Sequence, residues 1–122
     1  MKLRLKGNAV RLRLTKADIK ELKEQGVIRE HSHIADAVFT YELQQKVMEA
    51  NLSASVQNNT VTVFINERSF RQLTATDTVG VSYIQQNENA PDLFLLVEKD
   101  FKCLDESPES QEDMYEHPGK SC

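Results

Sequence analysis

The sequence predicts an α+β fold: a mostly antiparallel, hairpin-rich sheet of six to seven strands with two short helices. Three observations carry that prediction. Gly7-Asn8 and Asn58-Asn59 each separate two segments in which apolar and polar residues alternate, the signature of a β-hairpin. Two short stretches, after Thr15 and after Asn66, place apolar residues at helical spacing behind a capping residue. The run LFLLV is almost continuously apolar, as a strand buried on both faces should be. Hairpin links favour an antiparallel sheet, which can curve into a partial barrel with the helices over one face or end.

The opening hairpin is the clearest element. Leu3 and Leu5 alternate with Lys2, Arg4 and Lys6, and after the turn Val10, Leu12 and Leu14 alternate with Arg11 and Arg13. Pairing across Gly7-Asn8 sets Leu5 opposite Val10 and Leu3 opposite Leu12, with Arg4 opposite Arg11 and Lys2 opposite Arg13. Both strands then agree on which face is apolar, as a correct register requires.

The next elements follow from caps and spacing. Thr15 and Asp18 form a capping box for a helix that turns Ile19 and Leu22 inward and stops at Gly26. Residues 27–34 and 38–43 read as strands, and 44–50 as a short helical or irregular piece. In the second hairpin Val56 meets Val61, Ala54 meets Val63, Leu52 meets Ile65 and Ser55 meets Thr62. Asn66 caps a helix over 67–73 that buries Phe70 and Leu73, and strands over 79–84 and 93–98 complete the sheet. No repeat of 20–50 residues is visible.

The chain has 122 residues, enough for one domain with one core. We place that domain at 1–104 and an acidic Pro/Gly/Ser-containing tail at 105–122. No apolar run approaches the roughly 20 residues that span a bilayer, and charges interrupt the leucines of the start where a signal peptide needs an apolar stretch. A cytoplasmic protein without membrane association is expected, and two cysteines suit a reducing compartment. The net charge of −4 is unevenly spread: residues 1–35 carry +5 and residues 36–122 carry −9.

That asymmetry frames the candidate site. Lys2, Arg4, Arg11 and Arg13 stand opposed on one hairpin face, where like charges repel and an anionic neighbour is needed. The neighbour could be phosphate, nucleic acid, a protein carboxylate or the chain's own Asp105, Glu106, Glu109, Glu112, Asp113 and Glu116. Duplex nucleic acid is disfavoured, because the domain is acidic overall and no aromatic residues interleave with the cations. His31 and His33 share a strand face but lack a third ligand nearby. Cys103, His117 and Cys122 are metal-type residues whose spacing matches no zinc signature, so they are weak candidates and no cofactor is implied. Glu98 and Asp100 flank Lys99 at a strand exit without the framing of a general acid–base pair. Open sheet edges would allow a homodimer.

The opening MKLRLKGNAVRLRLTKADI, with LLVEKDFKCL and the acidic, His-Pro-containing end, resembles a family of short bacterial proteins of unknown function. The resemblance runs over almost the whole chain and implies a bacterial cytoplasmic protein with one α+β domain. It brings no activity, cofactor or functional residue. The alternating Arg and Leu strands also resemble those lining the triphosphate tunnel of CYTH-type phosphohydrolases. That family opens with Glu-x-Glu-x-Lys, whereas Lys2, Arg4 and Lys6 here alternate with leucines, so the metal-binding acids are missing. The expectation is a small non-enzymatic domain whose basic face engages an anion, a protein partner or its own tail. The alternative is a degenerate CYTH-like phosphate-ester or polyphosphate-binding enzyme.

Overall fold

Both hairpins form in the predicted register, and each is completed by strands from the other half of the chain. The computed structural model describes residues 1–100. Along them run β1 (Lys2–Lys6), β2 (Ala9–Leu14), α1 (Lys16–Gln25), β3 (Val27–Ile34), β4 (Ala37–Gln45), β5 (Leu52–Gln57), β6 (Thr60–Ile65), α2 (Glu67–Ala75), β7 (Gly80–Gln85) and β8 (Leu93–Lys99). The fold is α+β as predicted, but eight strands replace six to seven and they form two sheets rather than one. The sheet orders are β1-β2-β8-β7 and β3-β4-β6-β5, and no closed barrel results.

The difference has one physical source. In each sheet two antiparallel hairpins are joined side by side through a parallel pair, β2 with β8 and β4 with β6. The near-continuous LFLLV strand is β8, interior to its sheet between β2 and β7; β7 is its neighbour in sequence and β2 lies near the start of the chain. The 44–50 stretch is resolved in favour of strand to Gln45 and irregular backbone beyond it.

Local chemistry explains the boundaries. Thr15 accepts the Asp18 amide while the Asp18 carboxylate accepts the Thr15 amide, so the capping box is complete. Gly26 ends α1 at φ 79°, a left-handed position that a side chain would strain. In the first turn Gly7 carries positive φ (55°) and Asn8 does not, whereas Asn58 and Asn59 are both left-handed (52° and 61°), as a type I′ turn needs.

The architecture contains an internal repeat. Residues 1–45 form β1-β2-α1-β3-β4, and residues 52–99 form β5-β6-α2-β7-β8, the same ββαββ order. The second hairpin and helix follow the first at a distance of 51 positions: Leu12 corresponds to Val63, Thr15 to Asn66 and Leu22 to Leu73. The parallel junctions match as well, since Leu12 pairs with Val97 where Val63 pairs with Leu43. Even the connecting hydrogen bonds recur. Phe94 N donates to Asn8 O as Thr40 N does to Asn59 O, and Asp100 N donates to Leu14 O as Lys46 N does to Ile65 O. The repeat is therefore a strand-exchanged pair of equivalent halves.

One core lies between the inner faces. β2 and β6 carry the same alternating burial, with Leu12, Leu14, Val63 and Ile65 almost fully enclosed. Leu22 from α1 and Leu73 from α2 are completely buried in the same cluster. The outer faces stay open to polar side chains, which sets up the candidate site.

Candidate functional site

The outer face of the β1-β2-β8-β7 sheet is a grid of three rows. Register places Lys2, Arg13, Glu98 and Gly80 in the first row, and Arg4, Arg11, Leu96 and Ser82 in the second. The third holds Lys6, Ala9, Phe94 and Ile84. Strand alternation sends these side chains away from the core that Leu3, Val10, Leu12, Leu95 and Val97 build on the other face. The basic residues thus lie on an outer surface and do not line a lumen.

The rows differ in how their charge is met. In the first, the Arg13 Nε donates to Glu98 Oε2 at 2.9 Å, and Lys2 Nζ lies 3.1 Å from Asp100 Oδ2. Arg11, in the second row, reaches the same Glu98 oxygen at 3.5 Å, so one carboxylate serves two guanidinium groups. Glu98 is largely buried by them, with 18% of its side chain exposed. Arg4 and Lys6 pair with no carboxylate among the described residues. All four predicted residues, Lys2, Arg4, Arg11 and Arg13, are on one face as expected. Among the described residues, the fold's own acids neutralise the first-row end and leave excess positive charge at the other.

At that end lies a shallow pocket of about 240 Å³ lined by Arg4, Lys6, Ala9, Val10, Arg11 and Phe94. Ala9 supplies its floor, because a methyl group stands where its neighbours carry long side chains. Phe94 and Ile84, paired across β8 and β7, remain 41% and 60% exposed beside the cations. Sequence reasoning singled out the arginines but not Phe94. Its signal was present in the alternation Leu93, Leu95, Val97 against Phe94 and Leu96; only the β2–β8 pairing shows which cations it joins. The turn below is braced by Asn8, whose amide donates to the Pro91 and Asp92 carbonyl oxygens at 3.1 and 2.7 Å.

The equivalent face of the other sheet is built differently. Ser53, Ser55 and Gln57 occupy the places of Lys2, Arg4 and Lys6, and Phe64, Thr62 and Thr60 those of Arg13, Arg11 and Ala9. Its one basic residue in the central row, Arg29, donates to Glu42 at 2.7 Å, and Thr62 donates to the other Glu42 oxygen.

The sequence matches the family of unknown function DUF7009 over residues 1–119. The chain belongs to that family. No curated protein and no solved structure matches it. The family assignment agrees with the resemblance drawn from the opening motif and brings no functional residue.

The remaining candidates fall outside this grid. His31 and His33 do share the outer face of β3, both exposed, and His31 Nδ1 lies 2.9 Å from Thr40 Oγ1. Among the described residues no three His, Cys, Asp or Glu side chains are grouped to hold a metal. Cys103, His117 and Cys122, and the acids from Asp105 to Glu116, lie outside the described residues.

A second polar cluster sits where β1 approaches β3 and β4. The Met1 ammonium lies 2.8 Å from Asp18 and 3.2 Å from Glu30, and Tyr41 donates its hydroxyl to Met1 O. Burial opposes the charged ammonium, but the hydrogen bonds to Asp18 and Glu30 outweigh it and hold the amine above its ordinary value. Burial likewise opposes the Asp18 charge, and the Met1 ammonium with the Thr15 amide and hydroxyl brings the carboxyl below its ordinary range. Burial first, then the charges of Glu30 and Asp18, push the Tyr41 phenol up. The cluster ties the first strand to the opposite sheet and is structural.

Proposed function

We propose that this protein is a non-enzymatic binding domain whose basic outer sheet face takes an anionic ligand at Arg4, Lys6 and Arg11. One observation carries the reading: the fold builds the same face twice and makes only one of them basic. Where Ser55, Gln57 and Thr62 suffice on one sheet, the other presents Arg4, Lys6 and Arg11. Folding therefore does not call for those cations, and opposed like charges cost stability unless an anion joins them. Arg4 and Arg11 are placed to fork onto a phosphate or carboxylate, and Lys6 adds a point charge. The basic groups face outward, away from a packed interior, which favours a surface-binding role over a tunnel enzyme.

The halves themselves supply the control. The variant R4S/K6Q/R11T carries the counterpart residues of the second hairpin and should keep the fold. Wild-type protein should gain thermal stability with inorganic triphosphate, and the effect should weaken with added salt. The triple variant should show no such gain. Absence of triphosphate binding by the wild type and by forms with a neutralised C-terminal segment would overturn the reading.

A further inference from the structure

We infer that the chain's own segment Glu112–Glu116 docks on this face as a tethered ligand, which an external anion must displace. The inference rests on the anion-binding reading and adds the occupant. The grid calls for an amphipathic partner. All three rows are cationic on the β1 side, while Phe94 and Ile84 expose apolar surface in the third. A simple anion satisfies Arg4, Lys6 and Arg11 but leaves Phe94 and Ile84 in water. An acidic peptide with an apolar or aromatic residue satisfies both.

The sequence beyond the described residues has that composition. Residues 105–122 hold six acids against Lys120, and Glu112-Asp113-Met114-Tyr115-Glu116 sets a thioether and a phenol among three carboxylates. Met and Tyr are suited to an aromatic surface of this kind. The geometry of the last described residues favours docking within one chain. β8 leaves the sheet at the first-row end, and the Asp100 carboxylate already reaches across β2 to Lys2 on β1. Glu98 and Asp100 thus begin the neutralisation that the later acids can continue along the same face.

Reach is ample. The way back from the first row to the third is four residues of β8, about 13 Å. The fourteen residue-to-residue steps from Asp100 to Met114 can span about 45 Å when extended. A tether of this length holds its segment at about 1 mM near the face. A segment whose own dissociation constant lies tenfold below that concentration weakens an external ligand about tenfold.

The test uses full-length protein in three forms: wild type, E112Q/D113N/E116Q and M114S/Y115S. Inorganic triphosphate is the titrant, and NMR follows the Phe94 amide and the Ile84 methyl groups without it. Docking predicts that both variants shift those signals and that the charge variant binds triphosphate about tenfold more tightly. Unchanged signals with equal affinities would overturn the docked segment while leaving the anion site intact. Unchanged signals with no triphosphate binding by any form would overturn both. Shifts that appear only as protein concentration rises would assign the segment to a second copy and overturn docking within one chain.

Discussion

Gln85 treats the backbone of Ala54 as a strand partner. Its Oε1 accepts the Ala54 amide at 2.7 Å and its Nε2 donates to the Ala54 carbonyl at 3.1 Å, so one side chain stands in for a ladder pair. The contact joins the edge of β7 to the edge of β5, where the two sheets meet without main-chain pairing. It also covers part of an edge that would otherwise be open to another chain.

Replacing Gln85 with alanine should cost about 1–3 kcal/mol, because a part-buried amide and carbonyl lose their partners together. Urea denaturation gives the magnitude, and faster hydrogen exchange at the Ala54 amide locates the opening. Glutamate is the sharper probe. It can still accept from Ala54 but sets a carboxylate against the carbonyl oxygen, so Q85E should recover stability as acid restores a donor. Equal loss in Q85E at neutral and acidic pH would count against the donor role of Nε2.

The Met1–Asp18–Glu30 cluster predicts a pH window. An amine held above its ordinary value stabilises the fold below that value and loses the contribution as pH rises through the folded value. A carboxyl held below its ordinary value stabilises above it and loses the contribution as pH falls. Both terms are present together from about pH 4 to 8. Asp18→Asn keeps an oxygen for the Thr15 amide but removes the charge, so the stability difference from wild type should be largest inside that window. Denaturation midpoints across pH would reveal it, and a pH-independent difference would assign the loss to the cap alone.

Glu98 holds two arginines on one oxygen, and removing its charge separates folding from binding. Glu98→Gln should lower stability by about 1 kcal/mol at low ionic strength, with much of the loss recovered in salt. The same change releases Arg11 toward Arg4 and Lys6, so triphosphate affinity should rise as stability falls. A loss of both together would show that Glu98 orients Arg11 for the ligand instead of competing with it.

The legible parts of the fold were those written locally. Alternation across Gly7-Asn8 and Asn58-Asn59 determined both hairpin registers, because a slip of one residue would turn Leu3 and Leu12 or Ala54 and Val63 outward. The parallel junctions were not legible: Leu12 and Val97 are 85 positions apart, and neither strand carries a local mark of the other. That gap hid the second sheet and also kept Phe94 and Glu98 from being placed beside the arginines. The repeat escaped for a different reason. The inward residues and the helix caps of the two halves correspond in chemistry, whereas outer positions such as Arg4 against Ser55 or Arg11 against Thr62 do not.

That inward correspondence makes its own prediction. Leu22 and Leu73 occupy equivalent places on α1 and α2, each with no exposed surface, in one shared core. Alanine at either should cost about 2–5 kcal/mol, and the two losses should be similar because the surrounding β2 and β6 residues correspond. The helix starts are not equivalent. Asp18 completes a capping box on α1, whereas its counterpart Ser69 is buried with an Oγ that has no partner among the described residues. Ser69→Ala should therefore be neutral or stabilising, since it removes a buried hydroxyl that nothing among the described residues satisfies while Asn66 still caps the helix. Denaturation of the three variants side by side would test the repeat as an energetic unit. A Leu22 loss several times that of Leu73 would mean that the halves share topology without sharing the packing that stabilises it.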